Sequence, residues 1–141
     1  MVLFRALAGF EEEDERGMPF SLTLLILPLS LHKQSRDILG QANRSYFLKV
    51  VSGHPELLVN FGARTNALLP FTFESLGFLM QLSAFGVDAD GRLKAAAGSI
   101  RKSVTGTDES VACQKVARFL GKEFARVGDR STIYSTLGVR P

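Results

Sequence analysis

Apolar residues recur at the spacing of an α-helix through most of this 141-residue chain. The pattern predicts a first helix over residues 2–15. Residues 18–31 form the longest apolar stretch. We expect Pro19 to open a helix there that is apolar nearly all round and buried on several sides, and Pro28 to break it or kink it near its end. A short polar helix over residues 32–39, stopped by Gly40, follows directly.

Three further helices are predicted in the middle of the chain. The first covers residues 43–52, with Asn43 as its N-cap. The second covers residues 55–69 and is expected to end there, because Pro70 removes a backbone donor. The third covers residues 72–82. Its core-facing side chains are predicted to be Leu76, Leu79 and Met80.

Residues 85–96 break the helical pattern. Two short arms flank Asp90 and Gly91, and Asp-Gly between extended arms is the signature of a tight β-hairpin. Glycine suits this turn because it accepts a positive φ. A helix followed directly by a two-stranded hairpin is the local pattern of a winged helix, so the hairpin is predicted to be the wing.

The last part of the chain is predicted to hold two more helices. Asp108 is expected to cap a long amphipathic helix over residues 109–127, which Gly128 then ends. Ser131 is expected to cap a short helix over residues 132–137.

The whole pattern predicts a mainly α fold with a small β-hairpin. A winged-helix-like helical domain is expected over residues 1–97, with its wing at about 85–96. Residues 98–108 form a loop, and residues 109–141 form a C-terminal helix and tail that pack on the same core. One compact unit of this kind fits the length of the chain.

Composition adds a surplus of apolar surface to this picture. Hydrophobic residues make up 45%, charged residues 22%, and the mean hydropathy is +0.11, which is typical of a globular chain rather than a disordered one. A small domain has a large surface relative to its core, so we expect part of the surplus to lie on a partner-binding surface. The longest apolar stretch is shorter than the roughly 20 residues of a membrane span. The single cysteine, Cys113, indicates a reducing cytoplasm.

Charge is divided along the chain. Residues 1–91 carry seven basic and ten acidic side chains, whereas residues 92–141 carry ten basic and four acidic ones. A basic last third is expected to meet nucleic acid or an acidic protein face, with a solvated helix surface as the plain alternative.

The wing and the loop after it contain four possible nucleic-acid contacts, Arg92, Lys94, Arg101 and Lys102. The predicted helix before the wing has no lysine or arginine, although direct reading of duplex DNA normally relies on such side chains. This argues against a sequence-specific repressor. A winged-helix DNA-binding regulator is nevertheless kept as the alternative function.

The sequence does not indicate catalytic chemistry. His32 and His54 lie on separate segments, no pair of Cys or His has metal-ligand spacing, and no glycine-rich loop matches a phosphate-binding motif. We therefore expect no enzyme activity, no metal and no cofactor.

The densest polar cluster comes directly after the buried apolar stretch. Its members His32, Lys33 and Arg36 are predicted to bind a partner, gripping an acidic or phosphate-bearing surface. The alternative is a polar helix start in which His32 serves as a cap or bonds locally. The residue pattern favours neither.

Three stretches point to a known family. An apolar run ending in Leu-Pro-Leu-x-Leu-His-Lys, then Ser, Arg and Leu, occupies residues 20–39. A helix followed by Asp-x-Asp-Gly-Arg-Leu occupies residues 70–94, and Ala-Arg-Phe-Leu-Gly-Lys-Glu-Phe-Ala opens a closing segment over residues 117–141. In this order and spacing they resemble the middle components of three-component ABC-ATPase systems of the Lamassu-like type. Members usually begin with an Asn-Pro-containing stretch, and this chain starts past it.

The resemblance implies a non-catalytic adaptor in bacterial defence against phage or plasmids. In such a system a Rad50-like or SMC-like ATPase senses DNA, an effector such as a nuclease inflicts damage, and the middle component couples them. The implied partners are thus the ATPase and the effector, with DNA reached through the complex and no membrane involved.

Overall fold

The computed structural model describes residues 1–42, 45–96, 98 and 103–140, and these residues form helices and three short strands. The helices are α1 (Val2–Glu13), α2 (Phe20–Thr23), α3 (Ile26–Ser30), α4 (Lys33–Gln41), α5 (Phe47–Gly53), α6 (Phe61–Gln81), α7 (Asp108–Val127) and α8 (Arg130–Thr136), with a 3₁₀ turn at Pro55–Leu58. The strands are β1 (Met18–Pro19), β2 (Phe85–Val87) and β3 (Arg92–Ala95). The prediction of a mainly helical chain with a small hairpin and a C-terminal helix is confirmed.

Helices α1 and α7 pack along each other at the centre of the fold. A Cβ on Gly9 would lie 2.3 Å from the carbonyl oxygen of Arg118, and one on Gly121 would lie 2.0 Å from that of Ala6. No side chain fits in such a space, so glycine at both positions is what lets the two backbones approach. The surrounding core includes Leu3, Leu7, Phe10, Leu120 and Phe124.

The three strands form one antiparallel sheet in the order β1-β3-β2. The predicted hairpin is confirmed, and Gly91 adopts a φ of 75° at its turn. Strand β1 contradicts the helix predicted to begin near Met18, because Met18 pairs with Leu93 of β3. Gly17, at a φ of 92°, permits this pairing, since a Cβ there would lie 2.5 Å from the carbonyl oxygen of Leu93. This sheet order is compatible with a winged-helix-like fold.

The rest of the apolar stretch forms two short helices, α2 and α3, which are divided at residues 24 and 25, so the break or kink predicted at Pro28 is wrong. The hydroxyl of Thr23 donates to the carbonyl of Phe20 over 2.6 Å. Pro28 lies in the first turn of α3, where the backbone amides have no acceptor within the helix. The proline is therefore accommodated without a kink.

Helix α6 runs through Pro70 without a break, so the predicted end at residue 69 is wrong. Proline removes the amide that would bond to the carbonyl of Asn66, four residues earlier. Pro70 and Asn66 are both exposed, so water can take the place of the missing donor.

Two predicted N-caps move by one or two residues. Thr107 rather than Asp108 caps α7, with its hydroxyl accepting from the amide of Ser110 over 3.2 Å. Asp129 rather than Ser131 caps α8 by accepting from the amide of Ser131 over 3.1 Å. The predicted cap at Asn43 lies outside the described residues. Gly128 ends α7 in the left-handed conformation, as predicted.

Candidate functional site

Helix α6 buries only one of its sides. Its buried residues are Phe61, Thr72, Leu76 and Leu79, which recur at helical spacing on the side that faces the core. The opposite side is also rich in apolar residues and faces solvent. We define the outer face of α6 as the exposed residues Phe71, Phe73, Glu74, Gly77, Phe78, Met80 and Gln81.

The apolar side chains of this face are largely uncovered. Phe71 is 58% exposed, Phe73 50%, Phe78 60% and Met80 59%. Single exposed apolar residues are normal on a protein surface, but three phenylalanines and a methionine exposed on one helix indicate an interaction site. Aromatic residues and methionine are also enriched in the cores of protein interfaces.

Neighbouring elements enlarge the apolar surface. The ring of Phe20, at the start of α2, stacks on Phe73 with centroids 6.4 Å apart and planes at 11°. A shallow groove of about 650 Å³ separates Met1 from the outer face, and Gly77 and Phe78 line it. The outer face therefore combines protruding rings with a depression that has a glycine in its wall.

Electrostatics distinguish the outer face from the rest of the molecule. From residue 65 to residue 87 the chain has one ionisable side chain, Glu74, and no lysine or arginine. A binding surface of this kind is apolar with a single negative charge, and it complements an apolar partner that carries a cation.

The polar cluster predicted to bind a partner separates into surface and interior residues. Lys33 is exposed and pairs with Asp37 over 3.0 Å. Arg36 is buried, and its guanidinium donates to the carbonyl of Leu31 over 3.2 Å and contacts the sulfur of Cys113 at 3.4 Å. Within this chain Arg36 is thus a structural residue that holds α3, α4 and α7 together.

His32 caps helix α4, which is the local role left open by the sequence. Its Nδ1 accepts from the amide of Ser35 and lies 2.9 Å from the hydroxyl of the same residue. Burial lowers the pKa of the imidazole, and the charges of Arg64 and Arg36 lower it further. A neutral ring at neutral pH is what the accepting role of Nδ1 requires. Partner binding by His32, Lys33 or Arg36 stays a prediction.

The predicted nucleic-acid contacts do not form one free basic patch among the described residues. The guanidinium of Arg92 donates to the carbonyl of Gly17 over 2.8 Å and so braces β3 against the segment before β1. Lys94 is exposed. Arg101 and Lys102 lie outside the described residues.

Three basic side chains of α7 form ion pairs with glutamates at the end of α1. Arg118 donates to Glu12 over 3.1 Å, and Lys122 lies 3.4 Å from the other oxygen of that carboxylate. Arg126 lies 3.2 Å from Glu13. Burial raises the pKa of Glu12, but hydrogen bonds and charges from Arg118 and Lys122 outweigh it, so the pKa lies below its usual value. Part of the charge division seen in the sequence is therefore cancelled inside the fold.

Two features of the structure were not predicted from the sequence, the exposure of Met80 and the burial of Glu123. Met80 was expected in the core, and the structure places it on the outer face. Glu123 is buried in α7, where it accepts from the amide of Phe47 over 2.8 Å and from Arg126 over the same distance. The aromatic run from Phe71 to Phe78 is the signal from which an exposed face was recognisable, because such spacing covers more of a helix than one core can.

In the part of the chain that the structure describes, no group of three or more His, Cys, Asp or Glu is placed to hold a metal ion. None of the helices described has the length and apolar character needed to cross a membrane.

The fold and the exposed face define a small, mainly helical protein with a three-stranded antiparallel sheet and an uncovered apolar helix surface. The chain belongs to the family of the ABC-three component (ABC-3C) system Middle Component 3, whose family model matches residues 1–141. A middle component works with the other components of its system, so this chain has protein partners. Comparisons with curated proteins and with solved structures found no match.

Proposed function

We propose that this middle component is a non-catalytic cytoplasmic adaptor that couples an SMC-like or Rad50-like ABC ATPase to a nuclease-like effector in defence against phage or plasmids. The observation that carries the proposal is the outer face of α6. Three phenylalanines on this face are at least half exposed. Their contact with water is unfavourable, and burial under another subunit would lower the free energy.

Two side chains of a type that can carry out catalysis have structural roles, which supports a non-catalytic function. His32 caps a helix, and Cys113 is buried against the guanidinium of Arg36. A nucleophilic cysteine needs a nearby base and access to substrate. Cys113 is instead buried, and its sulfur contacts a guanidinium, which is not a base.

The alternative of a DNA-binding regulator has weaker support. Arg92 and three of the cations of α7 are held by backbone and carboxylate groups of the same chain. The segment from residue 65 to residue 87, which leads into the wing, has no lysine or arginine to place on a phosphate.

The proposal is tested by co-expressing the chain with the other two components of its system and measuring association. The variant Phe73→Ser/Phe78→Ser is expected to weaken association at least tenfold, because aromatic anchors at the centre of an interface carry much of the binding free energy. The matched control is Tyr46→Ser/Val59→Ser, which removes two large side chains elsewhere that are at least as exposed as Phe73 and Phe78.

Pairwise co-expression with the ATPase alone and with the effector alone identifies which subunit covers the face. A strain carrying the whole system with the Phe73/Phe78 variant is expected to lose protection against phage. Unchanged association of that variant, at unchanged stability of the isolated chain, would overturn the adaptor assignment of the outer face.

A further inference from the structure

Gly77 lies at the centre of the outer face of α6, and no contact among the described residues explains it. Glycine weakens the interior of a helix relative to alanine. Apart from its own chain neighbours and the adjacent backbone of α6, no described atom lies within 4 Å of the position that a Cβ on Gly77 would occupy. The backbone there is ordinary helix and needs no positive φ.

The same chain shows what a helix glycine does when it is covered. Gly9 and Gly121 stand where α1 and α7 cross, and the space of their missing side chains is filled by the backbone of the other helix. A glycine in mid-helix on an apolar face therefore permits a second helix to approach at short distance.

The side chains around Gly77 fit such a crossing. Residues three and four positions away on a helix surround a central residue, and here these are Phe73, Glu74, Met80 and Gln81. The two apolar members flank one side of the glycine and the two polar members flank the other. Gly77 also lines the shallow groove against Met1.

We infer that Gly77 is the crossing point for an α-helix of another subunit of the system, one that presents apolar residues to Phe73 and Met80 and a lysine or arginine to Glu74. The inference rests on the adaptor function proposed above. Charge selects this occupant over a second copy, because two copies docked through the same face would each bring Glu74 and no cation from residues 65–87.

The test is a substitution series at Gly77 in the chain co-expressed with the other two components. Gly77→Leu is expected to weaken association at least tenfold, because the added side chain holds the partner backbone away. Gly77→Ala is expected to raise the melting temperature of the isolated chain by about 2 °C while it weakens association less. Gly53→Leu is the matched control, since Gly53 is also an exposed helix residue with open space around its Cβ position.

The outcomes separate this inference from the proposed function. If Gly77→Leu leaves association unchanged while Phe73→Ser/Phe78→Ser weakens it, the apolar face docks a partner but no helix crosses at Gly77. If neither variant weakens association, the adaptor assignment of the face fails as well.

A photo-crosslinking residue in place of Gln81 identifies the occupant. The expected product joins this chain to a helical segment of another subunit that contains a lysine or arginine. A product that joins two copies of this chain through residues 65–87 would overturn the inference.

Discussion

The crossing of α1 with α7 and the outer face of α6 share a central glycine but differ in what covers it. At the crossing, Cβ atoms on Gly9 and Gly121 would lie 2.3 and 2.0 Å from backbone oxygens of the opposite helix. At Gly77 the corresponding space is open among the described residues. At the crossing a second helix lies against the glycines, whereas at Gly77 no described element of the chain does.

The difference shows where the chain is stable by itself and where it depends on a partner. A glycine in mid-helix costs about 0.5–1 kcal/mol relative to alanine. Burial of Leu7, Leu120 and Phe124 around the crossing offsets that cost. No comparable burial surrounds Gly77 among the described residues, and the proposed helix of another subunit would supply it.

The largest effect is expected for Gly121→Ala. The new methyl group would meet the carbonyl of Ala6 at 2.0 Å, and a backbone group within a helix cannot swing aside as a side chain can. We expect the free energy of unfolding to fall by about 3 kcal/mol. Chemical denaturation of the isolated chain measures it.

Gly77→Ala is the comparison for this substitution, and it should raise the free energy of unfolding by about 0.5–1 kcal/mol. The opposite signs express the difference between the covered and the open glycine. A Gly121→Ala variant as stable as the parent chain would show that the crossing is looser than the structure indicates.

A second, smaller effect is expected for Arg36→Ala, where α3, α4 and α7 meet. Its guanidinium donates to the buried carbonyl of Ser30 and to the partly buried carbonyl of Leu31, and both would be left with fewer donors. We expect a loss of about 2 kcal/mol in the free energy of unfolding.

Lys33→Ala is the matched control for Arg36, because Lys33 belongs to the same helix but is exposed. Its effect on stability should stay within about 0.5 kcal/mol. If both variants unfold at the same denaturant concentration as the parent, Arg36 does not brace the core, and its assignment as a surface contact for a partner regains support.

The parts of the fold that were predictable are those governed by local pattern. The apolar residues of α1 recur at helical spacing, α4 and α7 have one apolar side and one polar side, and Asp90-Gly91 specifies its turn by itself. Strand β1 was not predictable, because Met18 is extended only through pairing with Leu93, far away in the sequence. Helix α6 passed through Pro70 because the lost hydrogen bond faces water, which the pattern does not reveal.

The candidate site was less predictable than the fold for a related reason. A helix that is apolar on all sides does not show which side its own core will cover. Phe73 and Met80 therefore look like core residues until the position of α6 is known. Arg36 looks like a surface cation for the same reason, since only the fold brings the carbonyl of Leu31 and the sulfur of Cys113 to it.

The smallest effect concerns the ion pairs that close the end of the α1–α7 crossing. The pKa of Glu12 is lowered in the folded chain, so its pairs with Arg118 and Lys122 contribute stability above the pKa of the unfolded chain, about 4.3. That contribution is lost as the pH falls through the lower, folded pKa. At neutral pH Glu12→Gln should lower the free energy of unfolding by about 0.5 kcal/mol, because the pair is partly exposed to solvent.

Denaturation at several pH values tests this assignment. Between pH 7 and about pH 3 the parent chain should lose more stability than Glu12→Gln, and at neutral pH added salt should reduce the difference between them. Glu15→Gln is the control, since Glu15 is exposed beyond the end of α1. If both variants follow the same pH profile as the parent, the acidic end of α1 does not hold α7. The contact between α1 and α7 would then depend on its two glycines and its apolar core alone. It would differ from the open surface at Gly77 only in packing.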